Sequence, residues 1–274
     1  MTGDGTRCVR AGEPDTAPAG TPVHPGPVLS STYHLGDPGA APPADHYGRT
    51  SNPTWRQLEA AIGELDGGEC VLFPSGMAAI AAVLRLLLRP ADTVVLPAEG
   101  YFTVRVLAAE ELAASGVHVR HAPTAGPWVA EVVADARLVL LETPSNPGLD
   151  VCDIAAVAGV AHAAGAVVAV DNTTATPLGQ RPLELGADVV VASDTKALSG
   201  HGDVVLGHVT CADASLADAL RNARNHGGAI PGPFEAWLSL RGLGTLDRRL
   251  ARQAATAEAL ALALREQPKV TNVR

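Results

Sequence analysis

Along residues 53–66 the apolar side chains recur three and four positions apart, with Leu58, Ile62 and Leu65 on one stripe. That spacing predicts a helix with a single buried face. Asn52 in front of it, Pro53 at its first position and Gly67 behind it supply a start and a stop. Downstream the pattern alternates. Helical stretches are expected at 76–89, 102–114, 153–164 and 247–266. Short apolar runs stand among them: T-V-V-L-P at 93, V-H-V-R-H at 117, L-V-L-L-E at 138, V-V-A-V-D at 167, V-V-V-A-S at 189 and V-V-L-G-H at 204. Most of these runs are apolar at consecutive positions, the mark of strands buried on both faces. Strands of that kind separated by helices define an α/β class with a mostly parallel sheet covered on both sides.

The ends read differently. Residues 1–50, rich in Gly, Pro, Ser and Thr, are expected to form an extended arm, able to wrap a neighbour. Residues 51–245 make the main domain. Residues 246–274 hold a linking helix stopped by Pro268, then V-T-N-V, which reads as the start of a strand.

Composition narrows the function. Hydrophobic residues are 47% and aromatics 3%, so Ala, Val and Leu build the core. A net charge of −9 argues against a nucleic-acid surface, which needs a basic patch, and gives no reason to expect an anionic membrane as partner. Cys8, Cys70, Cys152 and Cys211 are too far apart for a zinc knuckle or a disulfide framework. No leader is visible at the start, and the most apolar stretch, 76–89, contains Arg85 and is too short to span a bilayer. A cytoplasmic protein is expected. No metal site is expected either: His118 and His121, three apart on a strand, point to opposite faces.

One residue choice changes the picture. Of 20 basic residues only Lys196 and Lys269 are lysines; the rest are Arg. A guanidinium serves wherever charge is enough, but a primary amine can lose its proton, attack a carbonyl and form a Schiff base. Lys196 lies in S-D-T-K-A-L-S-G-H-G-D at 193. In open α/β sheets ligands bind beyond the carboxyl ends of the strands, and Glu142, Asn146, Asp171, Ser193 and Lys196 all fall just after strand-like runs. A lysine, an acid and a phosphate cup are what pyridoxal phosphate asks of a protein. Lys196 can supply the amine and Asp171 the acid for the pyridine nitrogen. S-G-M-A-A at 75 opens a helix whose Gly76 and Met77 N–H groups can face a phosphate, although by itself the stretch reads better as an ordinary helix cap. Ser193 and Thr195 flank the lysine with hydroxyls, and Tyr101 can stack on the ring.

The chain resembles the Cys/Met-metabolism family of pyridoxal-phosphate enzymes, which includes cystathionine γ-synthase, cystathionine γ-lyase and methionine γ-lyase. The matching stretches are S-S-T-Y at 30, Y-G-R-T-S-N-P-T at 47, S-G-M-A-A at 75, E-T-P-S-N-P at 142, D-N-T at 171, the lysine stretch at 193 and P-F-E-A-W-L-S-L-R-G-L-G-T-L at 233. E-T-P-S-N-P-G-L-D-V-C-D most resembles cystathionine γ-lyase-like members. The resemblance implies the large domain of the aspartate-aminotransferase-like fold, with Lys196, Tyr101 and Asp171 catalytic. It implies cofactor contacts from Gly76, Met77, Tyr101, Asn146, Asp171, Ser193, Thr195 and Lys196. Tyr47 and Arg49 are implied to reach the phosphate of a neighbouring subunit in a homodimer or homotetramer. It also implies γ-elimination or γ-replacement on a sulfur amino acid, with the arginine for the substrate carboxylate in a smaller C-terminal domain. Three features depart from the family: Y-F-T-V-R at 101 is one residue short of the usual spacing, which leaves Arg105 without an assigned role; Ala197 replaces an aromatic; and residues 246–274 would be only the linking helix and the start of that smaller domain, the rest of which the 274-residue chain is expected to lack. A non-catalytic remnant keeping the fold is the alternative of another class. A nicotinamide-binding domain would need G-x-G-x-x-G, which does not occur.

Overall fold

The computed structural model describes residues 3–14, 16–41 and 43–274. In chain order the elements are α1 (Asp4–Arg10), α2 (Pro53–Asp66), β1 (Glu69–Phe73), α3 (Gly76–Leu87), β2 (Thr93–Pro97), α4 (Phe102–Leu107, continuing as a π-helical turn through Ala108–Leu112) and β3 (His118–Ala122). Then come α5 (Ala130–Val133), β4 (Ala136–Glu142), α6 (Ile154–Ala163), β5 (Val167–Asp171), α7 (Thr176–Gly179), a 3-10 turn (Pro182–Leu185), β6 (Val189–Ala192), β7 (Gly207–Cys211), α8 (Ala214–Gly227), α9 (Pro233–Leu243) and α10 (Leu246–Arg265).

The strands form one seven-stranded sheet in the order β1-β7-β6-β5-β4-β2-β3. β3, β2, β4, β5 and β6 run parallel, while β7 is antiparallel to both β6 and β1. The reversal at β7 has a simple cause. A parallel neighbour needs a crossover, usually a helix, whereas β6 reaches β7 through the non-helical loop 193–206. Because β7 opposes both neighbours, β1 points the same way as β6. The carboxyl ends of β1, β2, β4, β5 and β6 therefore share one rim.

Alternation along the strands feeds separate layers. Val94 and Leu96 pack with α3, α4 and α8 on one face, and Val95 with Val139, Val168 and α6 on the other. A third cluster joins Leu58, Ile62 and Leu65 of α2 to Leu72, Leu198, Leu206 and α9. The ends of α2 are as expected: the Asn52 side chain accepts from Thr54 N at 2.8 Å, and Gly67 takes φ 87°. A cap of this type contributes about 1 kcal/mol.

Four expectations need correction. Residues 1–50 are not wholly extended, since α1 forms and buries Cys8 and Ala11 against α2; beyond it the described residues of the arm carry a single isolated bridge, Thr32–Tyr47. The run at 204 enters the sheet at Gly207, because Leu206 pairs with Thr195 of the loop instead. V-T-N-V forms no strand, and residues 266–274 hold no regular element. β1, α8 and α9 were not foreseen as elements. No helix among the described residues is long and apolar enough to cross a membrane.

Candidate functional site

The shared rim carries a cleft of about 240 Å³, lined among others by Gly76, Met77, Tyr101, Asn146, Asp171, Ser193, Thr195 and Lys196. Every cofactor residue expected from the sequence within one subunit is therefore present in a single cavity. Across the rim, the N-terminus of α3 follows β1, the lysine loop follows β6, Asp171 closes β5, Glu142 and Asn146 follow β4, and Tyr101 follows β2.

Each position has a local cause. Ser75 caps α3 by accepting from Ala78 N at 3.0 Å. Among the described residues the N–H groups of Gly76 and Met77 have no acceptor, leaving two donors at a positive helix end. The packing here demands glycine. A Cβ on Gly76 would meet Ser193 Cβ at 2.7 Å, and one on Gly207 would meet Gly76 N at 2.4 Å. The close approach brings α3 against the lysine loop. Within that loop the Lys196 N–H donates to Ser193 O at 3.1 Å, and the Ser193 N–H donates to Thr173 Oγ1 at 2.8 Å. These turns put Ser193, Thr195 and Lys196 on the cavity wall.

Asp171 accepts from Thr173 N at 3.0 Å. Burial pushes its pKa up; the hydroxyl and N–H of Thr173 and the charge of His208 pull the other way without cancelling it. A carboxyl in that state gains when a cation is placed against it. Glu142 accepts from Tyr101 N at 2.6 Å and from Asn146 N at 2.9 Å, tying two cleft residues to the end of β4. Burial first, then the nearby Asp171 carboxylate, raises its pKa to about 7. Glu142 is recognisable on the rim in the sequence. Its tie to Tyr101, 41 positions away, is not. Ser75, Ile80, Thr173, Thr174 and Val205 also line the cleft and carry no sequence signal of their own beyond neighbouring motifs.

Tyr47 and Arg49 are not in this cavity. Tyr47 is 44% exposed, and Arg49 stacks over its ring at 5.4 Å while donating to Asn225 O at 2.9 Å. Arg105 donates to Ala98 O at 3.0 Å and lies beside Glu142. His201 is held by its own turn, with Nδ1 at 2.5 Å from Ser199 O. No group of three or more metal-binding side chains occurs among the described residues.

The fold and this rim define a pyridoxal-phosphate enzyme of the large-domain α/β type. The sequence profile of the Cys/Met metabolism PLP-dependent enzymes matches residues 5–274, and the chain belongs to that family. It is 53% identical over 277 residues to a Streptomyces coelicolor protein provisionally assigned as a cystathionine γ-lyase, covering 99% of this chain and 70% of that one. Among solved structures it is similar to the cystathionine γ-synthase of Xanthomonas oryzae pv. oryzae in complex with cystathionine, at TM-score 0.92 and 38% identity over 99% of this chain and 70% of the other. It is also similar to a Micromonospora echinospora protein described both as a cystathionine γ-lyase and as a methionine γ-lyase, at TM-score 0.91 and 40% identity, covering 99% of this chain and 72% or 74% of the other. The donor set fits the family's cofactor: an amine, a buried acid and two unpaired N–H groups at a helix N-terminus face one cavity.

Proposed function

We propose that the chain acts as a lyase on a sulfur amino acid, eliminating the γ-substituent of cystathionine to give cysteine, 2-oxobutyrate and ammonia. The observation that carries this reading is the convergence of Lys196, Asp171 and the α3 N-terminus on one cleft. Elimination is favoured over replacement by E-T-P-S-N-P-G-L-D-V-C-D and by the similarity to the Streptomyces coelicolor protein.

When bound, pyridoxal phosphate supplies an aldehyde for amines and a ring that accommodates negative charge from the substrate α-carbon. Lys196 would hold the cofactor through its amine, and the same Nζ, when free, is placed to take the substrate α-proton and to return protons elsewhere on the substrate. Asp171 keeps a cation at the cleft floor, which maintains the ring's pull on electrons. Gly76 and Met77 N–H, with the Ser193 hydroxyl, would bind the phosphate, and the Thr195 hydroxyl would join them by turning its proton away from Leu206 O. Tyr101, fixed through its N–H by Glu142, would cover the ring, and Asn146, tied to the same carboxylate, would serve the ring hydroxyl. Tyr47 and Arg49 serve the phosphate of a second copy of the chain, which makes the working unit at least a dimer. Incubation with cystathionine, with and without an added thiol, tests the reading. The 2-oxo acid and ammonia should form in both mixtures. A new thioether with no 2-oxo acid would establish replacement instead, and no product from cystathionine or methionine would overturn the assignment.

A further inference from the structure

Beneath the lysine loop lies a group of charges that the reaction as described does not use. Asp194 stands between two cleft-lining residues, Ser193 and Thr195, yet its side chain turns inward and is fully buried. Its Oδ1 is 2.6 Å from Nδ1 of His208 on β7. The other ring nitrogen, Nε2, is 3.0 Å from Oδ2 of Asp66 in the last turn of α2, which also accepts from Thr210 Oγ1 at 2.7 Å. All three ionisable side chains are 1% exposed or less. A neutral imidazole carries one N–H and one bare lone pair. Two carboxylate oxygens, one at each nitrogen, require two N–H protons, so His208 sits here as an imidazolium. Burial alone would depress its pKa; the charges and hydrogen bonds of Asp194 and Asp66 outweigh burial and hold it at about 10.

The group reaches the cofactor cleft by two routes. Asp194 is covalently between Ser193 and Thr195, and its carbonyl accepts from Ser199 N at 3.0 Å, closing the turn that carries Lys196. The charge of His208 also acts on Asp171, as described above. Cys70 of β1, the remaining titratable neighbour, is driven well above its ordinary pKa by burial, with Glu59, Asp66 and Asp194 adding to the rise, so it stays a neutral thiol. Apolar residues at 66, 194 and 208 together would fill the same space at lower desolvation cost, since a whole buried charge group adds little net stability over well-packed hydrophobes, whereas losing one member alone strands its partner. Stability therefore gives no reason for three charges at this point.

We infer that His208, clamped between Asp66 and Asp194, is a positioning residue: it fixes the peptide of residue 194 and so aims Ser193, Thr195 and Lys196 into the cleft as one rigid set. The inference rests on the reading of Lys196 as the lysine that holds the cofactor. It concerns residues on β7 and α2 that line no part of the cavity.

The test uses the full chain and pyridoxal phosphate. A triple variant, Asp66→Leu, Asp194→Ala and His208→Val, removes every charge of the group together and leaves no unpaired carboxylate. Circular dichroism reports its fold. Titration of the cofactor-free protein gives affinity, and the pH midpoint of the visible band of the bound cofactor reports the surroundings of Lys196. The folded triple variant should bind pyridoxal phosphate about tenfold more weakly, the loss expected from a displaced set of charge-assisted contacts, with the band midpoint moved by about one pH unit. A folded triple variant with wild-type affinity and midpoint overturns the inference. Should it fail to fold, the pair Asp194→Asn and Asp194→Ala decides. Asn keeps an acceptor for the imidazolium and should titrate closer to wild type; equal midpoints overturn the inference. Lys196→Arg separates the two readings. A visible band that survives in that variant removes the lysine assignment and this inference together. A band lost there, with no shift in the other variants, removes this inference alone.

Discussion

Lys196 and Arg49, both assigned to the cofactor in the proposed reading, are positioned in two different ways by the one chain. The lysine loop is held from every side. Thr195 and Leu206 bond each other through side chain and backbone at 3.1 Å, and Asp194 is buried beneath. On the far side the guanidinium of Arg249, from α10, donates to the carbonyls of Ala197, Leu198 and Gly242. The segment around Arg49 has no such frame. It is an exposed turn joined to the arm by a single bridge and by Gly48 N to Ser31 O at 2.8 Å, with Arg49 resting on a surface carbonyl. A residue framed by the fold can act within one subunit. A residue left at the surface acts on whatever is brought to it, which is why Tyr47 and Arg49 belong to the dimer in the proposed reading.

The largest effect should come from the framed side. Lys196→Arg keeps the charge and removes the nucleophilic amine, so the visible absorbance of lysine-bound cofactor should vanish completely. A retained band would show that the cavity's amine is not the attachment point. Asp171→Asn comes next. The carboxylate supplies charge to the ring while the helix end and hydroxyls supply most of the grip. Turnover should therefore fall by about 100-fold or more, an electrostatic loss of the kind measured at other charge-stabilising sites, with cofactor affinity changed much less. Parallel losses in both measurements would make Asp171 a structural residue.

How far the sequence reaches follows the same division. Strands β2, β4, β5 and β6 are legible because consecutive apolar residues have no other explanation than burial on both faces. The rim follows from them, since residues just after parallel strands must share an edge. β1 is hidden because E-C-V-L-F sits directly between the Gly-Gly that ends α2 and the Pro-Ser that starts α3. The polar α8 buries only Ala217, Leu220 and Arg224, at helical spacing too sparse to announce a core face. The role of His208 is out of reach altogether, because its partner Asp66 is 142 positions away and only the antiparallel return of β7 brings them together.

On the unframed side, Arg49→Ala combined with Tyr47→Phe should weaken cofactor binding about tenfold, the loss of a charge-assisted phosphate contact. In the proposed dimer the wild-type affinity should also fall on dilution to the point where subunits part. Light scattering and cofactor titration across a concentration series measure both. Affinity independent of concentration and of the two substitutions would place these residues outside the site and dissolve the contrast with the lysine loop.

Glu142→Gln should have the smallest effect on cofactor binding, and it probes how the framed rim responds to pH. In the fold the Glu142 carboxyl releases its proton at about 7 rather than the usual 4.5, because burial and Asp171 oppose its charge. Between those values the native state holds more protons than the unfolded chain, so the free energy of unfolding must fall as pH rises. The stabilisation from this group is complete below about 4.5 and gone above about 7, a change of about 3 kcal/mol for the cofactor-free protein. Asp171, shifted in the same direction, adds to the slope at its lower end. Gln cannot ionise, so the variant should show a flatter profile over that window. Its carbonyl can accept from only one of the two N–H groups of Tyr101 and Asn146, while its amide faces the other, which costs about 1 kcal/mol at every pH. Urea unfolding of the cofactor-free protein at pH 4.5, 6 and 7.5 separates the flattening from the constant loss. Equal slopes in the two proteins would mean that the carboxyl titrates near its ordinary value, and that the tie between Tyr101 and Asn146 is carried by a fully charged Glu142.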